Sequence, residues 1–270
     1  MFHTILLSGD RSGDALAQMS PGRRKAFLPL NGRPMICYVL DMLLAARGID
    51  HITIVANRVD DFQASADIAK LLADRAAAGR VSFAEGADSP AGSVLKIAEN
   101  LGPRVSVLVT TADNPLLSVA TLEQFCDAVN ADAELDAAVG LAREVDIRAA
   151  FPNSKRTFIR LGGAGFSGCN VFALRPGVGP KAARAWREVE GRRKKPWQLI
   201  LHFGVFTLLR ALLGLLDLEK AFKAASKTLG LRAKPIVLDD AVAAMDVDRP
   251  EHIAIAEQVL ASRGEGARAT

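Results

Sequence analysis

Three stretches of this 270-residue chain place side chains where they could do chemistry. The first opens the sequence. Ile5-Leu6-Leu7 runs into Ser8-Gly9-Asp10-Arg11-Ser12-Gly13-Asp14, and a basic cluster, Arg23-Arg24-Lys25, follows. A buried strand that opens straight into a glycine loop exposes backbone N–H groups at its carboxyl end, where open α/β sheets take their ligands. Arg11 and Lys25 add fixed positive charge, so the simplest ligand is a phosphate chain. The second stretch is Thr110-Thr111-Ala112-Asp113-Asn114-Pro115, which follows an apolar run. A carboxylate delivered there suits Mg²⁺, a hard cation that keeps waters and bridges substrate phosphates. It suits a turn cap equally well. The third is Asp246-Val247-Asp248-Arg249-Pro250. In extended backbone the two acids point the same way. The plainer reading makes Asp248 the N-cap of a helix beginning at Pro250 and leaves Asp246 on the surface.

The elements that would position these residues alternate. Strands are expected at 4–7, 51–56, 80–83, 105–109 and 137–142, with two more within 156–174 and one at 235–238. Helices are expected at 34–46, 60–78, 90–101, 120–130, 180–190, 218–229 and 249–261. Ser89-Pro90 is a cap followed by proline at the first helical position. Strand–helix alternation with nearly continuous apolar strands predicts a parallel, three-layer α/β fold, a Rossmann-like sandwich. One domain is expected over 1–262, with a helical insertion at 176–232 and a disordered tail at 263–270.

The opening stretch resembles the sugar-nucleotidyltransferase superfamily, in the branch that includes molybdenum-cofactor guanylyltransferase and the cytidylyltransferases. Leu7-Ser8-Gly9-Asp10-Arg11 stands for its glycine loop, with Ser8 for Ala and Asp10 for the second Gly. Lys25, Leu28 and Gly32-Arg33-Pro34-Met35 stand for the second half of the pattern. The resemblance implies the nucleotide-diphospho-sugar transferase fold and a Mg²⁺-dependent transfer of a nucleotidyl group from an NTP to a small phosphorylated acceptor. Asp113, Pro115 and Leu116 match the D-x-P-L motif whose Asp binds the metal, and Asp246 takes the place of the second ligand. Leu7, Ser8, Gly9 and Asp10 would cradle the triphosphate, Arg11 would steady the leaving pyrophosphate, and Lys25 would bridge the α-phosphate and the acceptor. Gly86 and Ser93 match a segment that meets the base and ribose. Ser93-Val94 leans toward CTP. Gly168 and Asn170 match a G-x-N element facing the acceptor. A nucleotide-sugar-dependent glycosyltransferase of related fold and a molybdenum-cofactor-type guanylyltransferase stand as alternatives.

Bulk properties narrow the classes further. A net charge of +4 suits phosphate ligands and is too small to argue for nucleic acid. Cys37, Cys126 and Cys169 are far apart and odd in number, which argues against a disulfide framework and for a reducing cytoplasm. Cys169 has no histidine partner in the sequence, and a buried inert thiol is expected. Arg192–Lys195 reads either as a solvated basic face or as an acceptor-phosphate site, with Lys195 its candidate. The apolar stretch 197–216 is long enough to span a bilayer. It is interrupted by His202, Gly204, Arg210 and Gly214, and a span there would part Asp246 from Asp113. It fits a buried core or homodimer helix, or docking at a membrane surface beside the basic cluster.

Overall fold

The structure, a computed structural model, describes residues 1–10, 13–73, 77, 79–152, 156–190 and 216–268. Eight strands form one sheet: β1 (Phe2–Leu7), β2 (Ile49–Ala56), β3 (Val81–Glu85), β4 (Ser106–Thr111), β5 (Ala137–Arg143), β6 (Ile159–Leu161), β7 (Ala164–Leu174) and β8 (Ala233–Val237). Their order is β8-β5-β7-β4-β1-β2-β3, with β6 paired to β7. All neighbours run parallel except β7, which is antiparallel to β4, β5 and β6. The sheet is therefore mixed at one place.

The central strands alternate between two apolar faces, as the period of two requires. Phe2, Leu6, Ile52, Ile54 and Leu108 share a core with α1 (Met35–Ala45) and α3 (Val119–Ala131). Ile5, Val55, Val107 and Val109 share the opposite core with α2 (Pro90–Leu101) and α5 (Gly179–Glu190). Ile5 and Leu6 are fully buried, and truncating such a side chain to alanine costs about 2–5 kcal/mol. Two faces covered by helices make three layers. Further helices include α4 (Glu144–Ala150), α6 (Leu218–Leu229) and α7 (Pro250–Arg268).

Two expectations need correcting. The helix expected at 60–78 is two short ones, Val59–Gln63 and Ala66–Leu72, because the Ser65 hydroxyl caps a new start by accepting the Ile68 N–H at 3.4 Å. The stretch 263–270, expected to be a disordered tail, is helical as far as Arg268. Ser89 caps α2 as the sequence implies, accepting the Gly92 N–H at 3.1 Å. The cluster 192–195 and nearly all of 197–216 lie outside the described residues. Among the described residues no helix is long and apolar enough to cross a membrane.

Candidate active site

β1 and β4 are parallel neighbours with Leu7 opposite Thr111, so the loops leaving their carboxyl ends lie side by side. The Ser8 N–H donates to the Val55 carbonyl at 2.8 Å, and the Ala112 N–H to the Leu7 carbonyl at 2.9 Å. These bonds hold the glycine loop in line with its strand. Beyond Gly9, the Asp10 N–H donates to Asn57 Oδ1 at 2.9 Å. A Cβ on Gly9 would stand 2.8 Å from that oxygen, so any larger residue there must displace the Asn57 side chain. The Asp10 carboxylate accepts the Lys25 N–H at 2.8 Å and Arg24 Nη1 at 3.4 Å. Asp10 thus ties the lysine segment to the loop.

Lys25 reaches across to the carboxylates. Its Nζ lies 2.6 Å from Asp113 Oδ2 and 2.7 Å from Asp248 Oδ1. The other oxygen of Asp113 accepts the Thr111 hydroxyl at 2.6 Å. Burial alone would lower the Lys25 pKa, but the two carboxylates outweigh it and raise the value, so the ammonium stays charged. Burial also raises the Asp248 carboxyl, yet Lys25 pulls it down to about 2. Asp246 is different. Burial raises it, Arg156 opposes that rise, and Asp248 and Asp113 reinforce it.

Asp246 and Asp248 share a side because Val247 between them is fully buried. The Val247 N–H donates to the Asp113 carbonyl at 2.8 Å, clipping this segment onto the β4 turn. Asn114, itself buried, donates through Nδ2 to the Cys169 carbonyl at 2.8 Å and to the Ala243 carbonyl at 3.3 Å. One side chain therefore joins the three segments that carry Asp113, Asn170 and Asp246. On β7 the register against β5 shifts between Val139 and Leu141, and Asn170 sits at φ 50°. A bulge re-aims a side chain, and asparagine tolerates the left-handed region. Asn170 Nδ2 reaches Asp246 Oδ2 at 3.2 Å, while Arg156 pairs with the other oxygen of Asp246.

Lys25, Asp113, Asn170, Asp246 and Asp248 border a cavity of about 700 Å³. Carboxylate oxygens of Asp113, Asp246 and Asp248 all lie within 4.8 Å of one another, an oxygen-only set that fits a hard divalent cation. Ser8 contributes a buried hydroxyl to the lining, with no hydrogen-bond partner among the described residues. A buried polar atom of that kind is completed by a ligand or a water.

The model of the MobA-like NTP transferase domain matches residues 4–227. The chain belongs to this family. No curated protein sequence matches it. Among solved structures, a hypothetical transferase from Thermus thermophilus is similar at 27% identity and a TM-score of 0.74, over 93% of this chain and 99% of that one. A CMP:2-keto-3-deoxy-manno-octonic acid synthetase complexed with CTP is 14% identical, with a TM-score of 0.58 over 97% and 100%. The 4-diphosphocytidyl-2C-methyl-D-erythritol synthase from Anaerococcus prevotii is 13% identical, with a TM-score of 0.57 over 96% and 98%. The last two share the fold, that of the nucleotide-diphospho-sugar transferases.

In this MobA-like NTP transferase the cavity gathers Leu7, Ser8, Gly9, Asp10, Lys25, Gly86, Ser93, Asp113, Asn170 and Asp246. Gly168 does not line it. The Gly168 carbonyl instead accepts from Arg156 Nη2 at 3.4 Å. Arg11 and Lys195 lie outside the described residues. Asp248 is not a helix cap; its carboxylate turns to Lys25. The Ser93 hydroxyl is occupied by its own loop, accepting the Ala87 N–H at 2.9 Å and donating to the Ser89 carbonyl at 3.0 Å. Burial pushes the Cys169 thiol up to about 12, so it is inert at neutral pH. Asn57, Asn114 and Arg156 went unread in the sequence. Asn57 follows β2 in the way the other site residues follow their strands, which was a usable signal. Arg156 belongs to no motif. Asp246 and Asp248 fall beyond the matched residues, and the structure brings both beside Asp113.

Proposed function

We propose that this transferase moves a nucleotidyl group from an NTP, with CTP favoured, to a small phosphorylated acceptor and releases pyrophosphate. The observation that carries the reading is Lys25, held between Asp113 and Asp248 beside a glycine loop in one cavity. An acceptor oxygen attacks the α-phosphorus, the bond from that phosphorus to the bridging oxygen of the β-phosphate breaks, and pyrophosphate departs with the electron pair. Such a transfer needs little covalent chemistry from a protein; positioning and charge neutralisation supply the catalysis.

Each role then falls to a residue. The backbone of 7–10 and the Ser8 hydroxyl hold phosphate oxygens, with Arg11 on the leaving pyrophosphate. Lys25 sets a fixed positive charge between two anions that would otherwise repel. Asp113, Asp246 and Asp248 would hold Mg²⁺, which supplies charge neutralisation at the α-phosphate when bound. Ser93 shapes the 86–89 loop, leaving backbone groups there to meet the base. Asn170, with Lys195, serves the acceptor. The lean to CTP draws support from two proteins of this fold whose names carry cytidylyl or CMP groups, one of them complexed with CTP.

The test is pyrophosphate release with Mg²⁺, screening four NTPs against phosphorylated sugars, polyols and small acids. Release requiring one NTP and one acceptor is expected. NTP binding without release from any pair would refute the reading.

A further inference from the structure

Two of the three clustered carboxylates are each pinned by one oxygen. Asp113 Oδ1 accepts the Thr111 hydroxyl at 2.6 Å, and Asp246 Oδ1 pairs with Arg156 Nη1. The other oxygen of each meets a residue of the cavity lining. For Asp113 this is Lys25 at 2.6 Å, and for Asp246 it is Asn170 at 3.2 Å.

Arg156 is itself anchored. Its Nε donates to the hydroxyl of buried Ser167 at 3.2 Å and its Nη2 to the Gly168 carbonyl at 3.4 Å, both on β7. The Arg156 side chain is 13% exposed and does not line the cavity, whereas Asp246 does. The guanidinium therefore stands behind Asp246, fastened to the sheet. A planar fork held at three edges fixes the direction of a carboxylate, which a single ammonium on a flexible stem does not.

That direction bears on which cation fits. Ca²⁺ takes about six to eight oxygens and often both of one carboxylate, while Mg²⁺ demands near-octahedral geometry and keeps several waters. Mn²⁺ also takes octahedral oxygen sites. A dication on the guanidinium-bound oxygen would stand against a second positive charge, so Asp246 is left with one oxygen to offer. We propose that Arg156 is a positioning residue that confines Asp246 to one-oxygen coordination, so that the cluster selects a small octahedral cation over Ca²⁺. This rests on the nucleotidyl-transfer reading only for the presence of a divalent cation.

The test reads binding, so it is independent of turnover. Mn²⁺ alone is titrated into the full chain, free Mn²⁺ is read by electron paramagnetic resonance, and Ca²⁺ is then titrated against it. Arg156→Lys keeps a positive charge and loses the fork. It is expected to weaken Mn²⁺ about three- to tenfold and to leave Ca²⁺ within about twofold, so the preference for Mn²⁺ over Ca²⁺ falls by a similar factor. Arg156→Met also removes the charge, which favours both cations alike, and the preference should fall at least as far. A role in charge balance alone predicts another pattern: no change in Arg156→Lys, and both cations bound more tightly, by the same factor, in Arg156→Met. That pattern would overturn the proposal. So would a parent that binds no Mn²⁺, or a loss of both cations together in both variants, which would make Arg156 a residue of the fold only. Pyrophosphate release is measured separately. If release fails while the preference falls as expected, the transfer reading alone falls; if release proceeds while the preference stays fixed in both variants, this inference alone falls.

Discussion

Replacing Lys25 by methionine keeps the side chain's volume and removes the charge that joins Asp113 to Asp248. The drop of the Asp248 carboxyl from 3.8 to about 2 corresponds to about 2.4 kcal/mol for a wholly buried group, at 1.36 kcal/mol per unit. The Asp248 side chain is 53% exposed, so water screens it and about 1 kcal/mol is the better figure. The inner pair with Asp113 is less exposed, at 12% and 22%, and its loss adds about 1–2 kcal/mol, below the cost of breaking a fully buried pair. Lys25→Met is then expected to lose about 2–3 kcal/mol at pH 7, a fall in Tm of roughly 5–10 °C. The sign with pH follows from Asp248. Its folded value lies below its unfolded one, so its share of stability is complete above pH 3.8 and fades as pH falls toward 2. Thermal scans at pH 7, 4 and 3 should show the gap between variant and parent closing with acid. Mg²⁺ should raise Tm more in the variant than in the parent, because a cation then restores what Lys25 supplied. Turnover should fall about 10²–10³-fold. Turnover within a few-fold of the parent, or an unchanged Tm at pH 7, would refute the reasoning.

Asp246→Asn should keep the fold, since Asn170 and Arg156 still frame the side chain, yet weaken Mn²⁺ binding about tenfold or more in a paramagnetic titration. Gly9→Ala pushes its methyl against Asn57 Oδ1. Asn57 is exposed and can yield, so a stability loss of about 1 kcal/mol or less is expected, with NTP affinity reduced about tenfold by calorimetry. His3 is held near pKa 4 by burial, with His51 reinforcing the shift. The parent should lose stability as pH falls from 6.5 toward 4, and His3→Gln should flatten that part of the denaturant-derived profile.

The strands and helices were legible because nearly every one has an apolar run or a cap of its own, as Ser89-Pro90 does for α2. The break at Ser65 was not, because a serine between two amphipathic turns reads as an ordinary helix position until its hydroxyl is seen to cap. In the site, Asp113 and Asp246 stood in recognisable patterns. Asp248 stood beside them but also fitted a cap, and its contact with Lys25, distant in sequence, decides between the two. Arg156 and Asn114 act through contacts between segments distant in sequence, with Asn114 bonding residues 55 and 129 positions away. No spacing rule encodes such contacts.

Lys25 and Asp248 are 223 positions apart. During synthesis at about 5–20 residues per second, the lysine waits on the order of ten seconds or more for its carboxylate partners to emerge. Until the segment around Val247 docks on the β4 turn, a nascent chain has its glycine loop but only one of the three clustered acids. A prematurely terminated chain lacking residues from 246 onward would have the loop without the complete cluster. Translation itself thus times when the three acids can come together beside the glycine loop.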